Sequence, residues 1–272
     1  MAVALVWLLL RGTVVFNIMI SLVLLLAMHE VMIATKIVKS ASLFLAGAIY
    51  AAIVPFFPVF GIYPAGVIIT ALYILSLIII MLCEHGKTGL LRVSYSFMVS
   101  TLIPYAVTSL AYINQLDYKD GGLNVHEGIF YLLLALSGAW IADTGAYFAG
   151  KFLGKHKLAP RISPKKTVEG SAGGVLAVII FYVATALVWQ VAFLKGGIGI
   201  NYFALIFMAI CVSICGMMGD LTFSCIKREV KIKDFGKIMP GHGGILDRID
   251  SLVLTAPCTM FFVAFMPIIT VS

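Results

Sequence analysis

The chain has 272 residues, 62% of them hydrophobic and 11% charged, with a mean hydropathy of +1.09. Soluble domains hold about 45–50% apolar and about 25% charged residues, so the composition excludes an ordinary soluble domain and places the chain in a bilayer. The formal net charge of +7 informs only through where the charges lie, and no nucleic-acid partner is expected from it.

In chain order, apolar segments run over about 1–28, 41–60, 62–83, 93–114, 128–150, 171–194, 201–219 and 251–270. A run of about 20 apolar residues crosses roughly 30 Å of hydrocarbon as a helix. Runs this long do not suit barrel strands, and helices are the other way to satisfy the backbone in lipid. The expected fold is an all-α polytopic membrane protein. Arg11-Gly12 interrupts the first segment, so eight or nine transmembrane helices are expected. That segment has no basic leader and no evident cleavage site, and is expected to stay as a span. Cys83, Cys211, Cys215, Cys225 and Cys258 form no CxxC pair and have no accompanying His cluster, which argues against disulfides and zinc.

The loops alternate in charge. Lys36, Lys39, Lys87 and Arg92 follow the first and third segments, and two denser groups follow the fifth and seventh. Together these loops hold 16 of the 19 Lys and Arg residues. By the positive-inside rule they face the cytoplasm.

The first dense loop follows Asp143, which lies in an apolar helix about two turns from its cytoplasmic end. An ionisable group at that depth suggests function, although a structural carboxylate paired with a lysine reads the same way. The loop's "GKFLGKHK" fails the phosphate-loop spacing. In "ISPKKTVEG", Pro164 makes Ser163 extended. Ser163, Lys165, Lys166 and Thr167 then present hydroxyls and ammoniums beside a helix start near Thr167–Gly170. That is a phosphate cradle; the plainer alternative is an N-cap with topology-setting lysines.

The second dense loop reads "GDLTFSCIKREVKIKDFGKIMPGHGGILDRID". If the seventh helix continues past Gly219, Asp220, Ser224 and Lys227/Arg228 fall on one stripe. Val230 to Lys237 is amphipathic and basic, suited to a headgroup surface, until Pro240-Gly241 breaks it. Gly243-Gly244 lets backbone approach a ligand closely. Asp247 and Asp250 are expected on one face of the first turns of the final helix. Two aspartates, Asp220 and Asp247, beside many cations suit Mg²⁺ shared with phosphate oxygens. A nucleotide or pyrophosphate site follows. His242 reads equally as a ligand contact, an acid–base group or a structural donor.

These residues resemble a known family. Ser224-x-x-Lys227-Arg228-x4-Lys233-Asp234, followed by Pro240-Gly241-His242-Gly243-Gly244-x-x-Asp247-Arg248-x-Asp250, is similar to the signature of the phosphatidate cytidylyltransferases, or CDP-diacylglycerol synthases. "ADTGAYFAGKFLGKHKLAPRISPKKTVEG" is similar to that family's upstream block. The resemblance covers about residues 135–260 closely. The first 125 match as a generic multispan region, with Glu30 at a family-like position. Met239 and Thr222-Phe223 depart from the pattern without removing a polar signature residue.

The resemblance implies transfer of the cytidylyl group of CTP to phosphatidic acid, giving CDP-diacylglycerol and pyrophosphate. It implies Mg²⁺, with room for a second cation, held by Asp220 and Asp247. Lys227, Arg228 and Arg248 would neutralise phosphates, while Asp143 and Asp250 would support the metal or orient the bases. Ser163, Lys165, Lys166 and Thr167 would receive nucleotide or lipid headgroup, undivided between the two. Ser224, Lys233, Asp234, Gly243 and Gly244 complete the substrate contacts. The expected organisation is N-terminal helices over 1–125 and a catalytic region over 126–272. The expected site is a cytoplasmic-side polar cavity of a bacterial-type membrane, open sideways to the leaflet. Two alternatives stand beside this reading: a CTP-dependent lipid kinase and a lipid or anion transporter. Small residues such as Gly47 and Ala48 suit helix packing within the chain or in a homo-oligomer.

Overall fold

The computed structural model describes residues 13–58, 63–86, 88–116, 127–193, 198–236 and 243–271. Among them, seven helices are long and apolar enough to cross a membrane, and a shorter apolar one covers Ala41–Phe56. The chain is an all-α integral membrane protein. The helices are α1 (Thr13–Thr35), α2 (Ala41–Ile53, extended by a 3₁₀ turn to Phe56), α3 (Tyr63–Cys83), α4 (Leu90–Asn114), α5 (Glu127–Leu153), α6 (Val168–Ala192), α7 (Tyr202–Glu229), α8 (Leu246–Ile249) and α9 (Leu252–Phe265). Residues 1–12, where Arg11-Gly12 raised a ninth helix, lie outside the described residues.

Two compact units form. One comprises the chain up to Ala111 together with Val230–Ile249; the other comprises Tyr112–Glu229 and Asp250–Ser272.

In the first unit, α1, α2 and α4 meet at small side chains. A methyl on Gly47 would stand 3.2 Å from the Met32 side chain and 3.3 Å from Ser100, so this glycine packs helices within the chain. Tyr50 and Tyr73 stack at 4.2 Å between ring centroids. Their hydroxyls are bonded to Thr70 and Ser100 respectively, which keeps two buried O–H groups satisfied where no water can serve. On α3, Val67, Ile68, Leu72 and Leu82 are exposed, the face a helix presents to lipid.

In the second unit, α5 and α6 approach until their backbones nearly touch. A side chain on Gly145 would strike the Ala177 methyl, and one on Gly173 the Ala149 methyl. A methyl on Gly174 would lie 2.7 Å from the Ala142 carbonyl. Small residues permit such packing in lipid, where there is no hydrophobic drive between helices. Gly219 does the same between α7 and the chain entering α9, where a methyl would sit 2.6 Å from the Asp250 carbonyl.

Short strands accompany the helices. β1 (Lys157–Ala159) pairs antiparallel with β2 (Ser163–Thr167), and β3 (Ile198–Ile200) with β4 (Ile269–Val271). The Tyr131 hydroxyl accepts from Ile268 N at 2.8 Å and ties β4 to α5.

Two expectations need correction. Val230–Gly236 forms turns and bends instead of an amphipathic helix, and Lys231 adopts a positive φ of 57°. The final helix is also not continuous from Asp247: α8 ends at Ile249, and Asp250-Ser251 interrupt before α9. The Asp250 side chain turns back to its own backbone, with Oδ1 accepting from Ser251 N at 2.8 Å.

Candidate active site

In the second unit a cavity of about 380 Å³ opens among α5, β2, α6 and α7. Its polar lining includes Asp143, Lys151, Lys165, Lys166, Thr167 and Asp220, and the rest is mainly small and apolar.

β2 carries the predicted "SPKKT" residues. The strand is extended from Ser163, as Pro164 requires. Alternation sends Lys165 to an exposed position and leaves Lys166 half-buried. The Lys166 ammonium ion-pairs with Asp220 Oδ2. Thr167 is the N-cap of α6: it is extended, and its hydroxyl accepts from Gly170 N at 3.1 Å. Its oxygen is therefore committed to the helix end although it lines the cavity. Ser163 does not line that cavity. The loop before β1 is braced by Glu169, which accepts from the backbone N–H of Lys155 and His156 and bonds His156 Nδ1 at 2.6 Å.

α7 does continue past Gly219, to Glu229. Ser224 donates to Asp220 Oδ1 at 3.2 Å, the i, i+4 contact the stripe predicted. One turn on, Lys227 is buried and its ammonium stands 3.8 Å from Asp250 Oδ2. Arg228 is exposed, and its Nε donates to the Ile162 carbonyl at 3.4 Å, tying α7 to the β1–β2 turn.

Asp143, Asp220 and Asp250 lie near enough to repel one another, with Lys166 and Lys227 set against them. Three hard carboxylates this close together suit a divalent cation. Among the described residues, no three His, Cys, Asp or Glu side chains make a complete metal site by themselves. Mg²⁺ ordinarily takes one or two carboxylates and completes its shell with water and substrate phosphate, so these residues fit it.

The first unit holds the rest of the signature. Gly243 has a φ of +84°, a conformation that favours glycine. A methyl there would press on Asp247 Oδ2 at 3.3 Å. That oxygen accepts from Phe235 N at 2.9 Å and from Gly244 N at 3.0 Å, so Asp247 is aimed by its own turn. Lys233, Asp234 and Arg248 are exposed. His242 lies outside the described residues, as does Pro240-Gly241.

One residue that the sequence noted for its family-like position, without a role, is central to this turn. Glu30, buried in α1, accepts from Leu246 N at 2.9 Å through Oε2. Besides that position, its signal in the sequence was a carboxylate in the last turns of an apolar helix.

The chain matches the model of the cytidylyltransferase family over residues 1–266. It is 37% identical over 193 residues to the phosphatidate cytidylyltransferase of Staphylococcus haemolyticus (strain JCSC1435), covering 71% of this chain and 70% of that protein. It is 38% identical over 193 residues, with the same coverage, to that of Staphylococcus saprophyticus. With the phosphatidate cytidylyltransferase of Bacillus subtilis (strain 168) it is 44% identical over 137 residues, half of this chain and 48% of that one. The match over nearly the whole chain and these identities establish that this protein belongs to the cytidylyltransferase family.

Proposed function

We infer that the protein is a phosphatidate cytidylyltransferase, which moves the cytidylyl group of CTP onto phosphatidic acid and releases pyrophosphate. The reading is carried by one observation: a cavity whose polar lining combines lysines with the carboxylates Asp143 and Asp220, in a chain of this family.

A phosphatidate oxygen, already anionic at neutral pH, forms a bond to the α-phosphorus of CTP. The bond from that phosphorus to the bridging oxygen breaks, and the electron pair leaves with pyrophosphate. Little base catalysis is needed. The task is to bring two polyanions together and stabilise the leaving group by fixed charge.

Lys165 and Lys166 bind phosphate oxygens at the cavity rim. Lys227 holds Asp250 in place, and Asp143 restrains the cations around it. Lys233, Arg228 and Arg248, all exposed, meet the outer phosphates, with Ser163, Asp234, Gly243 and Gly244 as further polar contacts. Asp220 and Asp247 are the proposed Mg²⁺ ligands; bound there, Mg²⁺ supplies charge neutralisation to the triphosphate and the departing pyrophosphate. The basic loops orient the site to the cytoplasm. The exposed side chain of Tyr147 in the cavity wall, with Phe148 and Phe152 exposed on the same helix, provides an apolar approach for acyl chains from the leaflet.

The test is purified protein in mixed micelles with Mg²⁺, phosphatidic acid and CTP labelled in the cytosine. Label should enter the lipid phase with an equal amount of pyrophosphate. CDP as product would point instead to a CTP-dependent lipid kinase, and binding without turnover to a transporter.

A further inference from the structure

Glu30 lies deep in α1 at 4% exposure, with the signature turn wrapped around its carboxylate. Oε2 accepts from Leu246 N at 2.9 Å, across 216 positions of chain. Among the described residues, Oε1 has no hydrogen-bond partner. A side chain on Gly236 or on Gly244 would collide with this carboxylate. The two glycines leave room for Glu30 where it stands, and a side chain on either would require its carboxylate to shift. Burying a carboxylate with one donor among the described residues is costly, which argues that it does more than fill space.

The two ends of this turn also hold Asp247. Phe235 and Gly244 give their N–H groups to Asp247 Oδ2, and each is the direct neighbour of a backbone position that Glu30 touches or is one itself. Phe235 precedes Gly236, and Gly244 packs on Glu30 directly. Through these contacts Glu30 bears on the backbone that carries both donors.

We propose that Glu30 is a positioning residue for Asp247: its carboxylate fixes the backbone of Gly236, Gly244 and Leu246, and so sets the direction of the Asp247 carboxylate. The inference rests on the reading of Asp247 as a Mg²⁺ ligand. Partners that orient a ligand typically change metal affinity by about 10–100-fold when removed.

The experiment uses the full-length protein and the variants Glu30→Ala, Glu30→Asp, Glu30→Gln, Gly244→Ala, Glu30→Ala with Gly244→Ala, and Asp247→Ala. Folding is checked by monodispersity in detergent. Mg²⁺ dependence of transfer and the KM for phosphatidate are measured, together with amide hydrogen exchange of the peptide over residues 243–249 in metal-free protein. Glu30→Ala and Glu30→Asp, whose side chains do not reach Leu246 N, should raise the Mg²⁺ half-saturation about tenfold. The KM for phosphatidate should hold, and the peptide should exchange faster. Glu30→Gln keeps an acceptor oxygen and should stay near wild type. Gly244→Ala should be impaired in the wild-type background and add nothing to Glu30→Ala, because the collision is gone.

A folded Glu30→Ala or Glu30→Asp protein with unchanged Mg²⁺ dependence and exchange overturns the inference; Glu30→Asp decides if Glu30→Ala does not fold. Asp247→Ala separates the two levels. If it keeps wild-type Mg²⁺ dependence, the ligand reading fails and takes the inference with it. If it loses activity while the Glu30 variants do not change, the inference alone is overturned.

Discussion

The ammonium of Lys166, on β2, ion-pairs with the carboxylate of Asp220, on α7. This joins the two dense basic loops of the sequence at one point. It also puts an ammonium where a carboxylate proposed to bind Mg²⁺ would receive the metal, so Lys166 and Mg²⁺ would compete for Asp220 until phosphate offered the lysine another partner.

Lys166→Gln should therefore separate two effects. Loss of a phosphate-binding cation should lower kcat/KM for CTP by about 10²-fold, the scale of losing one fixed electrostatic contact to a transferring group. Loss of the competitor should lower the Mg²⁺ concentration needed for half-maximal rate. Initial rates over a grid of CTP and Mg²⁺ check both signs.

Asp220→Asn should abolish most turnover, by about 10²–10³-fold, with the protein still folded. The amide still accepts from Ser224, whose contact is local to α7. Transfer assays beside thermal unfolding in detergent check it; near-normal turnover in this variant would remove Asp220 from the proposed metal site.

The buried pair of Lys227 and Asp250 predicts a stability pattern instead. Lys227→Met leaves Asp250 without its ammonium at 7% exposure, and breaking a buried pair costs about 3–5 kcal/mol. Lys227→Met with Asp250→Asn should recover much of that stability and stay inactive. Melting temperatures of the single and double variants measure the coupling.

Thr167→Ser should keep both the α6 cap and activity, because the hydroxyl's work is the bond from Gly170 N. Thr167→Ala should lose about 1 kcal/mol of stability. A Thr167→Ser protein with strongly impaired CTP binding would give the residue's methyl a contact that the cap does not explain.

Gly173→Val should force α5 from α6, since a side chain there meets Ala149. Overpacking costs about 1–3 kcal/mol. Because the cavity opens between these same helices, activity should fall together with the melting temperature, measured on one preparation.

The sequence alone determined what depends on near neighbours. Long apolar runs gave the membrane spans, because hydropathy over about 20 residues decides partition into lipid. Helix periodicity placed Ser224 under Asp220, and the hydroxyl before "VEG" capped α6. Pro164 made its strand extended. What failed was also local in kind: Val230–Gly236 has the pattern of an amphipathic helix, but it must turn at Lys231 and present Phe235 N to Asp247, and these tertiary bonds override propensity. Only the tertiary structure decided that Lys166 reaches Asp220, that Lys227 reaches Asp250 and that Glu30 receives Leu246. Such pairs depend on which helices approach closely, and that is set by where glycines let backbones meet, which no spacing along the chain encodes.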